Sequence, residues 1–217
     1  MLDVAAVGVG SGDSLLAGSW ACLGEEDEDD LLAVRRPADI TGPVQAAGCQ
    51  WDLGREIYPG LVLDLSSLDL EEIANALADQ TDYEHRWLSN PDTGEIAFWT
   101  ADTGIDGQTP VDLDELDLIV IQPLPSWIWY QDMADFADGI TDERARRRLA
   151  RAIQGKGAFR RFKDELHEEH PGLLPAWYAF RDTRASRRAV QWLADNSLID
   201  DGSANSFFSG HPDPALP

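Results

Sequence analysis

The strongest constraint on how this chain folds is a twelve-residue stretch, GKGAFRRFKDEL, that begins at Gly155. Two glycines flank a lysine and interrupt any preceding helix, and a new helical pattern follows at once. Phe159, Phe162 and Leu166 recur at the spacing of a single helix face. The stretch therefore predicts a glycine-containing loop followed by a helix that packs its aromatic face into a core.

The same stretch places positive charge where a helix disfavours it. Arg160, Arg161 and Lys163 lie in the first turns of the predicted helix, near the positive end of its dipole, where each cation costs about 0.3–1 kcal/mol. A compensating negative charge is therefore expected. One source is internal, because Asp164 and Glu165 lie four residues after the two arginines, at a spacing that allows ion pairs.

The other possible source is a bound anion. Amide groups at the start of a helix bind phosphate readily, and neighbouring cations strengthen such a site. The candidate ligand-binding residues are then Gly155, Lys156, Gly157, Arg160, Arg161 and Lys163. Internal compensation is the preferred interpretation, because charges near helix ends are usually solvated or paired.

Charge is distributed unevenly along the chain. The 217 residues carry a formal net charge of −23, but residues 1–143 hold 31 acids and 4 bases, whereas residues 144–217 hold 9 acids and 13 bases. So acidic an average surface favours solubility and disfavours nucleic acid as a partner. The basic segment follows the acidic one, so the two can also dock on each other.

The chain is predicted to form one α+β domain with an extension at each end. Residues 1–60 contain an unbroken acidic run, Glu25–Asp30, and frequent Gly and Pro, which predicts a mostly disordered, low-complexity acidic leader. Residues 61–200 are predicted to be a single α+β domain. Residues 201–217 are rich in Gly, Ser and Pro and are predicted to be a disordered tail.

Within the domain, a short helix and a small antiparallel sheet are expected to precede a helical C-terminal half. Ser67 is expected to cap a helix from Leu68 to Asp79. The turn residues at 90–94 predict a hairpin with strands over 83–88 and 95–99, and Leu118–Ile121 is a third strand candidate. The predicted helices then run from a Ser126 cap to about Asp138, from a Thr141 cap through Ile153, from 158 to Pro171, and from Leu174 to Asn196 with a possible break near Asp182.

The sequence contains no recognisable catalytic motif. The phosphate-binding loop, the nucleophile elbow and the dinucleotide-binding glycine pattern are absent, so no cofactor is expected. His167 and His170 stand at i and i+3, not at the i and i+4 of zinc proteases, and no third ligand is in view, so no metal is expected. No apolar run approaches the ~18–20 residues of a membrane span, and the start lacks the basic residues of a signal peptide, which indicates the cytoplasm.

Several of these features together resemble Uncharacterised Protein Family 0158. The features are the turn Thr93-Gly94-Glu95, the aromatic helix with Tyr130, Met133 and Phe136, the block from Gly155 to Asp164, and Trp177, Phe180 and Trp192. The resemblance covers about Leu63 to Ile199, and the block is its most specific part. Members of that family are bacterial proteins without an assigned activity, so the resemblance implies a domain type and no catalytic residue.

Two functions are therefore favoured, and an enzyme that no motif reveals is a third option. The first is a non-catalytic interaction or regulatory domain, with another protein as partner. The alternative is a binder of a phosphate-bearing ligand, a nucleotide or nucleic acid, at the predicted helix start from Gly155 to Lys163.

Overall fold

The computed structural model of the chain describes residues 62–81 and 85–217. The predicted leader at 1–60 lies outside the described residues. The helices are α1 (Leu70–Ala78), α2 (Ser126–Gly139), α3 (Glu143–Ala152), α4 (Ala158–Glu168), α5 (Leu174–Asp195) and α6 (Asp201–Gly210), and the strands are β1 (His85–Ser89), β2 (Ile96–Thr100) and β3 (Ile119–Ile121). One helix and a small sheet precede a helical half, so the predicted α+β fold class is confirmed.

The three strands form an antiparallel sheet in the order β2-β1-β3. Trp87 of β1 pairs with Phe98 on one side and with Ile121 on the other. The turn between β1 and β2 is built by Asn90, whose side-chain oxygen accepts from the backbone of Asp92 at 2.9 Å. Gly94 then takes a positive φ of 76°, which glycine adopts without strain. The predicted hairpin is therefore present.

Two hydrophobic cores share the long helix α5. The C-terminal half of α5 contributes Val190 and Leu193 to a core with α1 and the sheet. Its N-terminal half contributes Trp177 and Phe180 to a second core with α2, α3 and α4. The sequence allowed a break near Asp182, but α5 is continuous there. Thr183 donates its hydroxyl to the carbonyl of Ala179 at 2.7 Å, one turn earlier, and caps nothing.

Aspartates, not the predicted Ser67 and Thr141, cap α1 and α3. The predicted cap Ser126 is the first residue of α2, and Pro125 at the cap position supplies no side-chain hydrogen bond. Asp69 caps α1 by accepting from the backbone of Glu72 at 3.0 Å, and Ser67 lies outside the helix. Asp142 caps α3 by accepting from the backbone of Arg144 at 2.8 Å, so Thr141 precedes the cap. A carboxylate at the cap position also interacts favourably with the helix dipole. This explains why aspartate, and not a nearby serine or threonine, occupies the cap position of these two helices.

The prediction of a disordered tail from Asp201 is wrong for residues 201–210, which form α6. Asp200 caps this helix by accepting from the backbone of Ser203 at 2.9 Å. Ala204 is buried, and Phe207 and Phe208 pack against the first core. The Gly and Ser content suggested disorder. The aspartate cap and the burial of the two phenylalanine side chains stabilise a helix instead.

A buried carboxylate joins α1 to the sheet. Asp79 is only 7% exposed and accepts hydrogen bonds from the backbone of Thr81 at 2.9 Å and from the indole of Trp87 at 2.7 Å. The imidazole of His85 lies 2.8 Å from the same carboxylate, and the Thr81 hydroxyl donates to it as well. Burial raises the pKa of Asp79, but these hydrogen bonds outweigh burial, so the pKa lies below its ordinary value.

We expect the stability contributed by Asp79 to disappear in acid. A depressed folded-state pKa stabilises the fold fully above the unfolded pKa of about 3.9, and this contribution is lost as pH falls through the folded-state value. Asp79→Asn should therefore lower the free energy of unfolding by about 1–3 kcal/mol at pH 7 and by less at pH 3, which lies below the unfolded pKa. Urea unfolding at both pH values measures this, with the exposed Asp92→Asn as control. A deficit that stays constant with pH would contradict the assignment.

Candidate functional site

The loop between α3 and α4 depends on its glycines for backbone geometry. Gly155 has a φ of 80° and Gly157 a φ of 70°, both in the left-handed region. Gly157 occupies the cap position of α4 and supplies no side-chain cap. The two glycines of the predicted anion site thus have a conformational role that requires no ligand.

Arg161 satisfies the carbonyl groups of this loop. Its Nε donates to Ala152 at 3.0 Å, and its Nη2 donates to Gln154 at 2.7 Å and to Gly155 at 3.1 Å. Its Nη1 donates to the carbonyl of Lys156. These acceptors lie at the negative end of the α3 dipole and just beyond it. The charge compensation of Arg161 is therefore internal, but it comes from backbone carbonyls and not from Glu165 as the spacing suggested.

Arg160 and Asp164 do approach each other as the spacing predicts. Their closest nitrogen and oxygen atoms are 3.8 Å apart, and the Arg160 side chain is 81% exposed, so the pair contributes little. Lys163 is exposed, whereas Lys156 and Gly157 each take part in at least one further interaction. The predicted ligand-binding residues therefore differ in their surroundings: Arg161 binds carbonyl groups, whereas Arg160 and Lys163 are exposed to solvent.

We expect Arg161→Ala to lower the free energy of unfolding by about 1–2 kcal/mol, because it removes charge-assisted hydrogen bonds from the end of α3 and its loop. The matched control is Arg160→Ala, which removes the same charge one residue away and should cost less than ~0.5 kcal/mol. Denaturant unfolding of both variants makes the comparison. Equal losses would mean that the carbonyl contacts of Arg161 contribute nothing beyond its charge.

A groove of about 840 Å³ runs between α3 and α4. It is lined by Arg144, Arg147, Arg148, Arg151, Ala152 and Arg161 on one side and by Asp164, Glu165, Glu168 and Glu169 on the other. The groove therefore has a basic wall, mainly from α3, and an acidic wall from α4. Of the six predicted ligand-binding residues, Arg161 alone lines it.

Two arginines of the basic wall form no ion pair with a described residue. Arg147 pairs with Glu143 at 3.2 Å, and both side chains are more than half exposed. Arg144 and Arg151 are exposed, and neither forms an ion pair or a side-chain hydrogen bond with another described residue. Since Arg144, Arg147 and Arg151 are spaced at i, i+3 and i+7, they share one face of α3. That face presents a stripe of guanidinium groups to the groove.

One arginine ties the two walls together. The Nε of Arg148 lies 2.5 Å from Glu165, and its Nη1 lies 3.0 Å from Glu169. Hydrogen bonding to Glu165 raises the pKa of Arg148 above its ordinary value. His170 also approaches Glu165, at 3.4 Å. These contacts join α3 to α4 through Glu165 and Glu169. Asp164 and Glu168, the other carboxylates of the acidic wall, take no part in them.

The groove was not predicted from the sequence. The missed signal is the spacing of the arginines at 144, 147, 148 and 151, which marks one helix face. Arg146, from the same arginine-rich stretch, binds Glu143 at 2.8 Å through its guanidinium and does not line the groove.

Metal binding and membrane insertion are two further chemistries to consider in the part of the chain that the structure describes. No three His, Cys, Asp or Glu side chains there are arranged to hold a metal ion. His167 is exposed and His170 is partly buried beside Glu165. None of the helices at 62–81 and 85–217 has both the length and the apolar character needed to cross a membrane.

The comparisons with known proteins agree with the resemblance found in the sequence. The model of an uncharacterised protein family, UPF0158, matches residues 64–203. A UPF0158 protein of Pseudomonas aeruginosa is 35% identical over 81 residues, which cover 37% of this chain and 52% of that relative, so the match spans about half of the relative's length. No solved structure matches the chain. The family match includes every strand and the helices α1 to α5, and the chain belongs to the uncharacterised protein family UPF0158.

Proposed function

We propose that this protein is a non-catalytic interaction domain of the bacterial cytoplasm that binds an acidic segment of a partner protein in the groove between α3 and α4. The observation that carries the proposal is the basic wall. Arg144 and Arg151 are exposed and form no ion pair with a described residue, although the chain has 40 acids for 17 lysines and arginines. Guanidinium groups on one helix face bind carboxylates with favourable two-point geometry.

The acidic wall favours a protein segment over nucleic acid. A phosphate backbone is uniformly negative, so a strand lying in the groove would meet Asp164 and Glu168 as well as the arginines. A peptide can direct carboxylates toward α3 and other side chains toward α4. The net charge of −23 adds repulsion against any polyanion, whereas a short acidic segment experiences mainly the local field.

The alternative, a phosphate-bearing ligand at the start of α4, has weaker support. Arg161 is already bound to four carbonyl groups, and Lys156 and Gly157 take part in other interactions. A ligand there would have to displace some of these contacts. Arg160 and Lys163 remain exposed, so this function is tested alongside the first.

The test measures binding of a fluorescent peptide, in which three Glu alternate with three Ser residues, by fluorescence polarisation at low salt. Replacing Arg144 and Arg151 by glutamine should weaken binding about tenfold, since two exposed charge contacts are lost. The matched control replaces Arg146 and Arg160 by glutamine, which removes the same charge outside the groove. That control should change the affinity less than about twofold, through the general field alone.

Three results would contradict the proposal. Equal losses in the two double variants would indicate general charge attraction and not a groove. Absence of peptide binding by the wild-type chain and by each of its charge variants would remove its basis. Tighter binding of ATP or of a six-nucleotide DNA strand, lost in Lys156→Gln with Arg160→Gln, would favour the phosphate-bearing ligand instead.

A further inference from the structure

We infer that the groove has an occupant within the same chain, the acidic run Glu25–Asp30 together with the residues that follow it. This inference rests on the proposed function, because it assigns a competing ligand to the same groove. The run lies outside the described residues. In this arrangement the chain regulates access of its partner to α3.

The segment carries both signs of charge, as the groove does. Residues 25–30 are six consecutive carboxylates, and Arg35 and Arg36 follow after four apolar residues. The groove offers arginines from α3 and carboxylates from α4. The acidic run therefore complements the basic wall, and the two following arginines complement Asp164 and Glu168. An acidic run alone would match only one of the two walls.

The dimensions of the run and the basic wall agree. Arg144 and Arg151 are seven residues apart in α3, which corresponds to about 10 Å along a helix. Six residues of extended chain span up to about 20 Å, so a single run can contact both guanidinium groups at once. Carboxylates at every position also allow several registers, which favours binding statistically.

The connection to the domain is long enough. Thirty-one residues separate Asp30 from Val62, where the described domain begins. Fully extended, they reach about 100 Å, whereas a folded domain of this size has a radius of gyration of about 15 Å. A tethered ligand reaches effective concentrations of the order of millimolar. Even a weak contact between the run and the groove is then populated within one chain.

The first experiment measures the distance between the run and the groove in the full-length chain. Cys22 lies three residues before the run and carries one probe, and Gln154→Cys, at the exposed end of α3, carries the other, in a Cys49→Ser background. We expect a short-distance population at low salt by single-molecule energy transfer. Glutamine or asparagine at residues 25–29 should remove it, and so should Arg144→Gln with Arg151→Gln.

A matched control neutralises five dispersed acids of the same part of the chain. These are Asp3, Asp13, Asp39, Asp52 and Glu56. The control has the same net charge as the variant at 25–29 and should keep the short distance. If both variants lose it equally, or if neither changes it, the intramolecular assignment is overturned. A short distance that appears only between two differently labelled chains would identify a second copy as occupant and would also overturn it.

The second experiment separates this inference from the proposed function. Neutralising residues 25–29 should raise the affinity of the groove for the labelled acidic peptide about tenfold, because the competing segment is removed. Peptide binding with unchanged affinity in that variant would overturn the inference and leave the proposed function intact. Absence of peptide binding in every variant, including this one, would overturn the proposed function itself.

Discussion

Replacing Asp132 by alanine is expected to lower the free energy of unfolding by about 3–5 kcal/mol. Asp132 lies in α2 and is only 2% exposed. Arg188 donates to both of its carboxylate oxygens, at 2.7 and 2.6 Å, and Arg184 donates to it at 3.0 Å. Both arginines belong to α5, so a single carboxylate connects the two helices. Without it, two largely buried guanidinium groups lose their shared partner.

The surroundings of the two arginines explain why the loss is not easily repaired. Arg184 lies over the ring of Phe180 at 4.3 Å, and Arg188 lies over Trp129 at 4.7 Å. Burial opposes the charged form of Arg184, but hydrogen bonds to Asp213, Asp135 and Asp132 outweigh it and raise its pKa above the ordinary value. Arg184 therefore stays charged, and both guanidinium groups remain against aromatic rings when Asp132 is removed.

Asp135→Ala is the matched control for Asp132→Ala. Asp135 lies one turn away on α2 and contacts Arg184 at 2.5 Å, but its side chain is 37% exposed and Arg184 retains two other carboxylates. Its loss should cost less than about 1 kcal/mol. Urea unfolding of the two variants compares their losses in free energy of unfolding. Equal destabilisation would show that the buried position of Asp132 and its contact with Arg188 contribute nothing extra.

The role of Asp132 could not be predicted from the sequence. Contacts at i, i+3 and i+4 within one helix can be read from spacing, as for Arg160 and Asp164, but Asp132 and Arg188 are 56 residues apart. The apolar residues of α2 include Phe136, which is fully buried, and also Trp127, which is 57% exposed. Periodicity identified a helix with an extensive apolar surface, but it did not reveal the buried charge between its apolar faces.

The candidate site was predictable to a similar degree. The sequence located the break at Gly155 and Gly157 and the face formed by Phe162 and Leu166, because backbone freedom and periodicity are local properties. It did not reveal that Arg161 binds carbonyl groups, since every residue carries a carbonyl and spacing does not distinguish among them. The groove required the packing of α3 against α4, which only the folded arrangement provides.

Phe162→Ala is expected to destabilise the protein by about 3–5 kcal/mol, the range typical of a fully buried phenylalanine. Phe162 is 0% exposed, which agrees with its predicted place on the apolar face of α4. Its ring centroid lies 4.9 Å from that of Trp177 and 6.3 Å from that of Phe136, both in edge-on arrangements. Removing it leaves a cavity between α4, α5 and α2, and rigid aromatic neighbours close such a cavity poorly.

Two comparisons make this prediction specific. Phe159→Ala, on the same helix but only partly buried, should cost roughly half as much, because less apolar surface is lost. Phe162→Leu should recover much of the loss, since it refills most of the cavity. The urea concentration at the unfolding midpoint is measured for the three variants and the wild type. A midpoint for Phe162→Ala equal to that of the wild type would contradict the burial of this face. Because Phe162 does not line the groove, its folded variant should still bind the acidic peptide, so stability and binding are separable in this helix.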